Sequence, residues 1–122
     1  MIIDSSVLID IDRGSQKYEK IPDGRHAVSS ATVMEISVGV NLGPGRGLDK
    51  IREQLDIMPI DERVAEKAGE ITADLKKRGE KIDLNDIYIA ATALIHDETI
   101  LTGNIKHFEK IKGLKVVDWN KI

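Results

Sequence analysis

Three acidic residues, Asp4, Glu35 and Asp86, sit in surroundings where a carboxylate needs a reason. Asp4 follows Ile2-Ile3 and precedes Ser5-Ser6-Val7-Leu8-Ile9, a setting apolar enough that an unpaired charge would be costly. Glu35 lies among Val33, Met34 and Ile36, and Asp86 follows Asn85 at the head of the apolar run Ile87 to Ile95. Taken singly, each has an ordinary structural explanation. Asp4 can end a strand as a turn residue, Glu35 stands three residues after Thr32 at capping-box spacing, and Asp86 can complement the positive end of a helix. Taken together they suggest more. Carboxylates gathered without a cation repel one another and raise one another's pKa values, whereas a divalent ion removes that penalty and uses the oxygens as ligands. The ion would be a hard one. His26, His96 and His107 are far apart and none is paired at zinc-ligand spacing, so each reads as a surface or structural residue, and Mg2+ or Mn2+ is favoured over Zn2+. Asp10 and Asp12 read as the polar end of a helix and stay outside the candidate site.

For these acids to meet, the chain must bring strand ends and helix starts to one place. Met1-Ile2-Ile3 reads as a short buried strand ending at Asp4, followed by an apolar segment from Val7 to Ile11. A second strand is expected at Ala27 to Ser29. Ser30 or Thr32 then caps a helix with apolar positions Val33, Ile36, Val40 and Leu42, which ends at Gly43-Pro44-Gly45. Ile57 to Ile60 is a third strand candidate. After Asp61, the spacing of Val64, Ala68, Ile71 and Leu75 predicts an amphipathic helix closed by Gly79. Ile87 to Ile95 predicts a helix packed on several sides. Thr99 to Thr102 and Lys115 to Asp118 supply two more strands, separated by the Gly103-Asn104 turn and a short helix around Phe108. Alternating strands and helices imply an α/β fold, a single domain over residues 1–122 with a parallel sheet sandwiched between helices on both faces. In such a sheet ligands bind beyond the carboxyl ends of the strands, where Asp4, Glu35, Asp86 and the Thr102 to Asn104 turn all fall.

Composition narrows the partners. A net charge of -3 argues against a protein that coats polyanions, because non-specific nucleic-acid affinity comes mostly from excess Lys and Arg. Two basic clusters, Lys76-Lys77-Arg78 with Lys81 and Lys106 with Lys110, Lys112 and Lys115, read first as solvated faces. No cysteine is present, which excludes disulfides and thiolate metal sites and fits a cytoplasmic address. No leader or membrane-spanning stretch is expected. One Phe, one Trp and two Tyr are too few for extensive base stacking, so any nucleic acid would be read through phosphate and shape.

Four segments in order give a resemblance that spans nearly the whole chain. Asp4-Ser5-Ser6-Val7-Leu8-Ile9 resembles the opening motif of PIN domains, Glu35 their acidic residue on the following helix, and Asn85-Asp86-Ile87-Tyr88-Ile89-Ala90-Ala91-Thr92-Ala93 their third acidic motif. Ile100 to Phe108, followed by Gly113-Leu114, is similar to the closing segment of the VapC-like toxins. The resemblance implies a ribonuclease that hydrolyses RNA phosphodiester bonds with metal-activated water. Asp4, Glu35 and Asp86 would then hold Mg2+, or alternatively Mn2+. Ser6 would bond to Asp4 or the metal shell, and Thr102 and Asn104 would orient water or a ligand. It also implies a homodimer and a small VapB-like antitoxin as partner. Asn104 departs from the aspartate that many PIN domains carry in the last segment, which leaves the charge of a fourth ligand and a second metal site open. Two other classes fit the same pattern: a receiver-like or phosphatase-like phosphoryl-transfer domain, and a PIN-like binding module without turnover.

Overall fold

The computed structural model describes residues 1–43 and 53–122. Five short strands, β1 (Ile2–Ile3), β2 (Ala27–Ser29), β3 (Asp56–Met58), β4 (Ile100–Thr102) and β5 (Val116–Asp118), form one sheet in the order β3-β2-β1-β4-β5. Every pairing is parallel. Helices among the described residues include α1 (Ser5–Asp12), α2 (Ser30–Leu42), α3 (Glu62–Lys77), α4 (Leu84–Ile95) and α5 (Ile105–Phe108), with 3-10 turns at Lys17–Lys20 and Trp119–Lys121. A receiver-like sheet would run 2-1-3-4-5, so this order separates the fold from that class.

Alternation along the strands divides the interior into two cores. Ile2, Ala27 and Ile100 point to the side covered by α3 and α4, where Val64, Ala68, Leu75, Ile87 and Ile89 join them. Ile3, Val28 and Leu101 point the other way, towards Val7 of α1 and Trp119. Helices therefore cover both faces, as the alternation of elements predicts. Burying each large aliphatic side chain contributes roughly 1.5–3 kcal/mol, so these three central strands anchor the fold despite their length. Trp119 is tied to α1 as well, its Nε1 donating to Asp10 Oδ2 at 2.7 Å. That bond gives Asp10 the structural role expected of it.

Element ends differ from the expectations in instructive ways. The cap of α2 is neither Ser30 nor Thr32 but Ser29, the last residue of β2, whose Oγ accepts from the Ala31 N–H at 3.1 Å. β2 thus passes into α2 without a loop, and the Thr32 to Glu35 capping box that the spacing allowed as an alternative role for Glu35 does not form. β3 occupies Asp56–Met58 rather than Ile57 to Ile60, because Pro59 has no N–H to continue the ladder and Ile60 N–H goes instead to Ser30 Oγ. β4 and β5 each start one residue later than expected. α2 does end at Leu42 with Gly43 as its cap, while Pro44 and Gly45 lie outside the described residues. Gly79, at φ 70, closes α3 by letting Glu80 N–H reach Leu75 O at 2.9 Å.

Candidate active site

The chain order reverses between β1 and β4: from β1 the sheet grows through β2 to β3, and then β4 and β5 are added on the other side. The carboxyl ends of β1 and β4 therefore flank the crevice where open α/β sheets bind ligands. Asp4 follows β1 and Thr102 ends β4, and their side chains meet, Thr102 Oγ1 donating to Asp4 Oδ2 at 2.8 Å. Ser6 Oγ donates to the same oxygen at 2.6 Å. The hydroxyls are in turn held by backbone: Gly103 N–H donates to Ser6 Oγ at 3.0 Å and Asn104 N–H to Thr102 Oγ1 at 2.9 Å. Asp4 is 1% exposed. Its Oδ2 is fully engaged and its Oδ1 is buried without a hydrogen-bond partner among the described residues.

Glu35 repeats this arrangement. Ser5 Oγ donates to Glu35 Oε2 at 3.2 Å, whereas Oε1 is buried and unpartnered. Burial pushes the Glu35 carboxyl above its usual range, with the negative charges of Asp4, Asp86 and Asp83 adding to the effect against the Ser5 bond. Asp86, in the first turn of α4, is also raised, chiefly by burial and further by Asp4 and Asp83, while contact with His107 works in the opposite direction. The three acids predicted from sequence thus share one electrostatic environment. Asn104 is the exception: it is exposed, its side chain makes no hydrogen bond among the described residues, and its φ of -109 is not the left-handed geometry of a turn asparagine.

Three neighbours escaped the sequence reading: Ser5, which holds Glu35, and His107 and Asp83. His107, expected to be a surface or structural residue, has its Nδ1 2.9 Å from Asp86 Oδ2. It lies in α5, directly after the β4 strand end, so the rule that selected Thr102 to Asn104 extends to it once that helix is recognised. Asp83 is the residue at the start of α4, one turn before Asp86, and its cost is visible in the raised carboxyls of both partners. His26 and His96 each have a buried ring nitrogen without a partner among the described residues and take no part in the site.

The donor set suits a hard divalent cation. Two inward carboxylate oxygens lack partners, and like charges are held together against their repulsion, a penalty that a cation removes. Among the described residues no three His, Asp or Glu side chains enclose a point by themselves. A Mg2+ ion held by one or two carboxylates ordinarily keeps its remaining positions for water and phosphate oxygens, so a closed cage of protein ligands is not required.

Residues 1–114 match the PIN domain family. The chain belongs to that family. It is 37% identical over 121 residues to Ribonuclease VapC1 of Methanocaldococcus jannaschii, covering 97% of this chain and 87% of the relative. It is 31% identical over 100 residues to the tRNA(fMet)-specific endonuclease VapC of Salmonella typhimurium, covering 78% and 76%. The structure of VapBC-1 from nontypeable Haemophilus influenzae superposes with a TM-score of 0.86 at 25% identity, covering 98% of this chain and 97% of that one. The resemblance read from four motifs is borne out, including its VapC-like character, and the PIN fold accounts for the parallel sheet and its helices. PIN-domain nucleases of the VapC kind are metal-dependent enzymes.

Proposed function

We propose that this PIN domain is a divalent-metal-dependent endoribonuclease, the toxin of a toxin and antitoxin pair, with Asp4, Glu35 and Asp86 holding Mg2+ or, in its place, Mn2+. The observation that carries the reading is the pair of buried, unpartnered oxygens, Asp4 Oδ1 and Glu35 Oε1, in a site whose carboxylates repel one another. When bound, the ion would lower the pKa of a water molecule and neutralise charge on the scissile phosphate. The protein's part is positional. Ser6 and Thr102 fix the Asp4 carboxylate through Oδ2, Ser5 fixes Glu35 through Oε2, and Asn104, exposed at the rim, offers an amide to water or substrate. The substrate is RNA, gripped through phosphate rather than by stacking. Of the basic side chains, Arg78, Lys110, Lys112 and Lys115 are paired with Asp74, Glu80 or Asp97, which makes their surface a solvated face. Lys106, exposed on α5 beside His107, is the better placed phosphate contact.

The partners proposed are an antitoxin and a second copy of the chain. Met34, Val38 and Leu42 lie on one side of α2 at four-residue spacing and are 46%, 49% and 84% exposed. This stripe begins next to Glu35 and suits an amphipathic segment that could also deliver an arginine to the carboxylates, competing with metal. Among the described residues no helix is long and apolar enough to cross a membrane, and RNA cleavage suits a cytoplasmic protein. The test is incubation of the purified protein with total RNA in Mg2+, in Mn2+ and in chelator, with mapping of the new ends. Metal-dependent cuts at defined positions are expected, and intact RNA in all three conditions would refute the enzyme reading in favour of a binding module.

A further inference from the structure

The three site carboxylates are each tethered through one oxygen by a donor from another side chain: Asp4 Oδ2 by Ser6 and Thr102, Glu35 Oε2 by Ser5, and Asp86 Oδ2 by His107. The first two carboxylates are held by hydroxyls, those of Ser5 and Ser6 from the opening motif and that of Thr102 from the end of β4. The third is held by a histidine of α5. We propose that His107 is a positioning residue for Asp86, holding its carboxylate in the orientation in which it receives the divalent ion. The inference rests on the reading of Asp86 as a ligand.

The contact has the geometry this role requires. An ionised carboxylate can only accept, so the Nδ1 at 2.9 Å carries the hydrogen and the imidazole is the donor. Donation to Oδ2 occupies part of one oxygen and leaves the rest of the carboxylate to a cation. The Asp86 side chain is only 15% exposed and the His107 ring 51%, so the bond joins a largely buried carboxylate to a half-exposed ring. The ring is itself anchored. Phe108, the next residue, is completely buried against the core that includes Ile87 and Ile89, which fixes α5 beside the start of α4. Hydrogen-bonded partners of ligating carboxylates ordinarily contribute 10–100-fold in metal affinity, since a ligand that must be reoriented binds less well.

The experiment measures Mn2+ binding to the RNA-free protein by calorimetry, so its readout is independent of turnover. Wild type, His107→Ala, His107→Asn, Asp86→Asn and the double variant Asp86→Asn/His107→Ala are compared. His107→Ala is expected to weaken Mn2+ binding by about tenfold. His107→Asn, whose amide can donate from nearly the place of Nδ1, should recover it to within about threefold, a rescue that loss of bulk or general packing would not give. In the Asp86→Asn background, removal of His107 should change nothing further. Wild-type affinity in His107→Ala, with Asp86→Asn impaired, would overturn the positioning role alone. Wild-type affinity in Asp86→Asn would overturn the ligand reading of Asp86 and the inference with it. A failure of asparagine to rescue, or an undiminished loss in the double variant, would also count against it.

Discussion

Replacing Asp4 or Asp86 by asparagine keeps the shape of the side chain and removes its charge, and cleavage should fall by more than the roughly 10–100-fold cost of losing an outer-shell partner. Circular dichroism of both variants should remain that of the wild type; cleavage at the wild-type rate in either would remove that residue from the site. Glu35 allows a test on stability. Its carboxyl is raised in the folded protein by burial and by Asp4, so the folded state binds that proton more tightly than the unfolded chain does. The resulting stabilisation is complete below the ordinary glutamate pKa and is lost as pH rises through the raised one. At neutral pH without metal, the ionised Glu35 therefore works against folding. Glu35→Gln should melt at a higher temperature than wild type in chelator at pH 7, with the gap narrowing at pH 4 and disappearing or reversing when saturating Mg2+ is added at pH 7. A lower melting temperature for the variant in chelator would mean that the buried oxygen has a structural partner. All three acids were legible in the sequence because each combined a carboxylate with an apolar setting and a strand end or helix start. Their tethers were legible only in part. Ser6 and Thr102 flank the motif positions, but the link from His107 to Asp86 depends on how α5 packs, which no local spacing encodes.

At the scale of elements, what the sequence makes plain is what periodicity and caps govern. The four apolar positions of α3 are all buried, and Asp61 Oδ1 caps the helix by accepting from Val64 N–H at 2.9 Å. α3 carries none of the proposed site residues, so its cap and the chemistry can be separated. Asp61→Ala should cost about 0.5–2 kcal/mol in urea unfolding with an unchanged m value, and leave the cleavage rate of the folded enzyme alone. A matching loss of activity under conditions where the variant is fully folded would show that α3 is coupled to the crevice. The elements placed less accurately share a different physics. In the β2 to α2 passage several adjacent Ser and Thr residues compete to cap, and the choice falls to Ser29 because the strand runs directly into the helix. β3, at the sheet edge with Asp56 and Ile57 exposed, lacks the buried alternation that would mark its register. Its end is set by Pro59.

For the whole molecule, the proposed homodimer has a specific face to use. A groove of about 390 Å³ between α3 and α4 is lined by Ala65, Gly69, Thr72 and Ala73, with Leu84, 59% exposed, and Tyr88 at its side. Helical spacing puts Glu62, Ala65, Gly69, Ala73 and Lys76 on one side of α3, and their order is symmetric about Gly69: an alanine four residues away in either direction, and opposite charges seven residues away. Two copies of α3 packed antiparallel about a twofold axis at Gly69 would set Ala65 against Ala73 and Glu62 against Lys76 of the partner subunit, with the helix dipoles opposed. Small residues let the backbones approach, and Leu84 of each copy has the other's groove to enter. Charge reversal tests the arrangement without relying on loss of packing. Glu62→Lys or Lys76→Glu alone should shift the protein towards monomer in sedimentation equilibrium, because each places like charges together at both ends of the helix pair. The double variant Glu62→Lys/Lys76→Glu restores opposite charges across the axis and should recover the dimer. It exchanges the sign at each end without changing net charge, so recovery cannot come from solubility or total charge. A dimer undisturbed by either single reversal would place the twofold axis elsewhere, and a monomer in the wild type at high micromolar concentration would remove the second copy from the proposal.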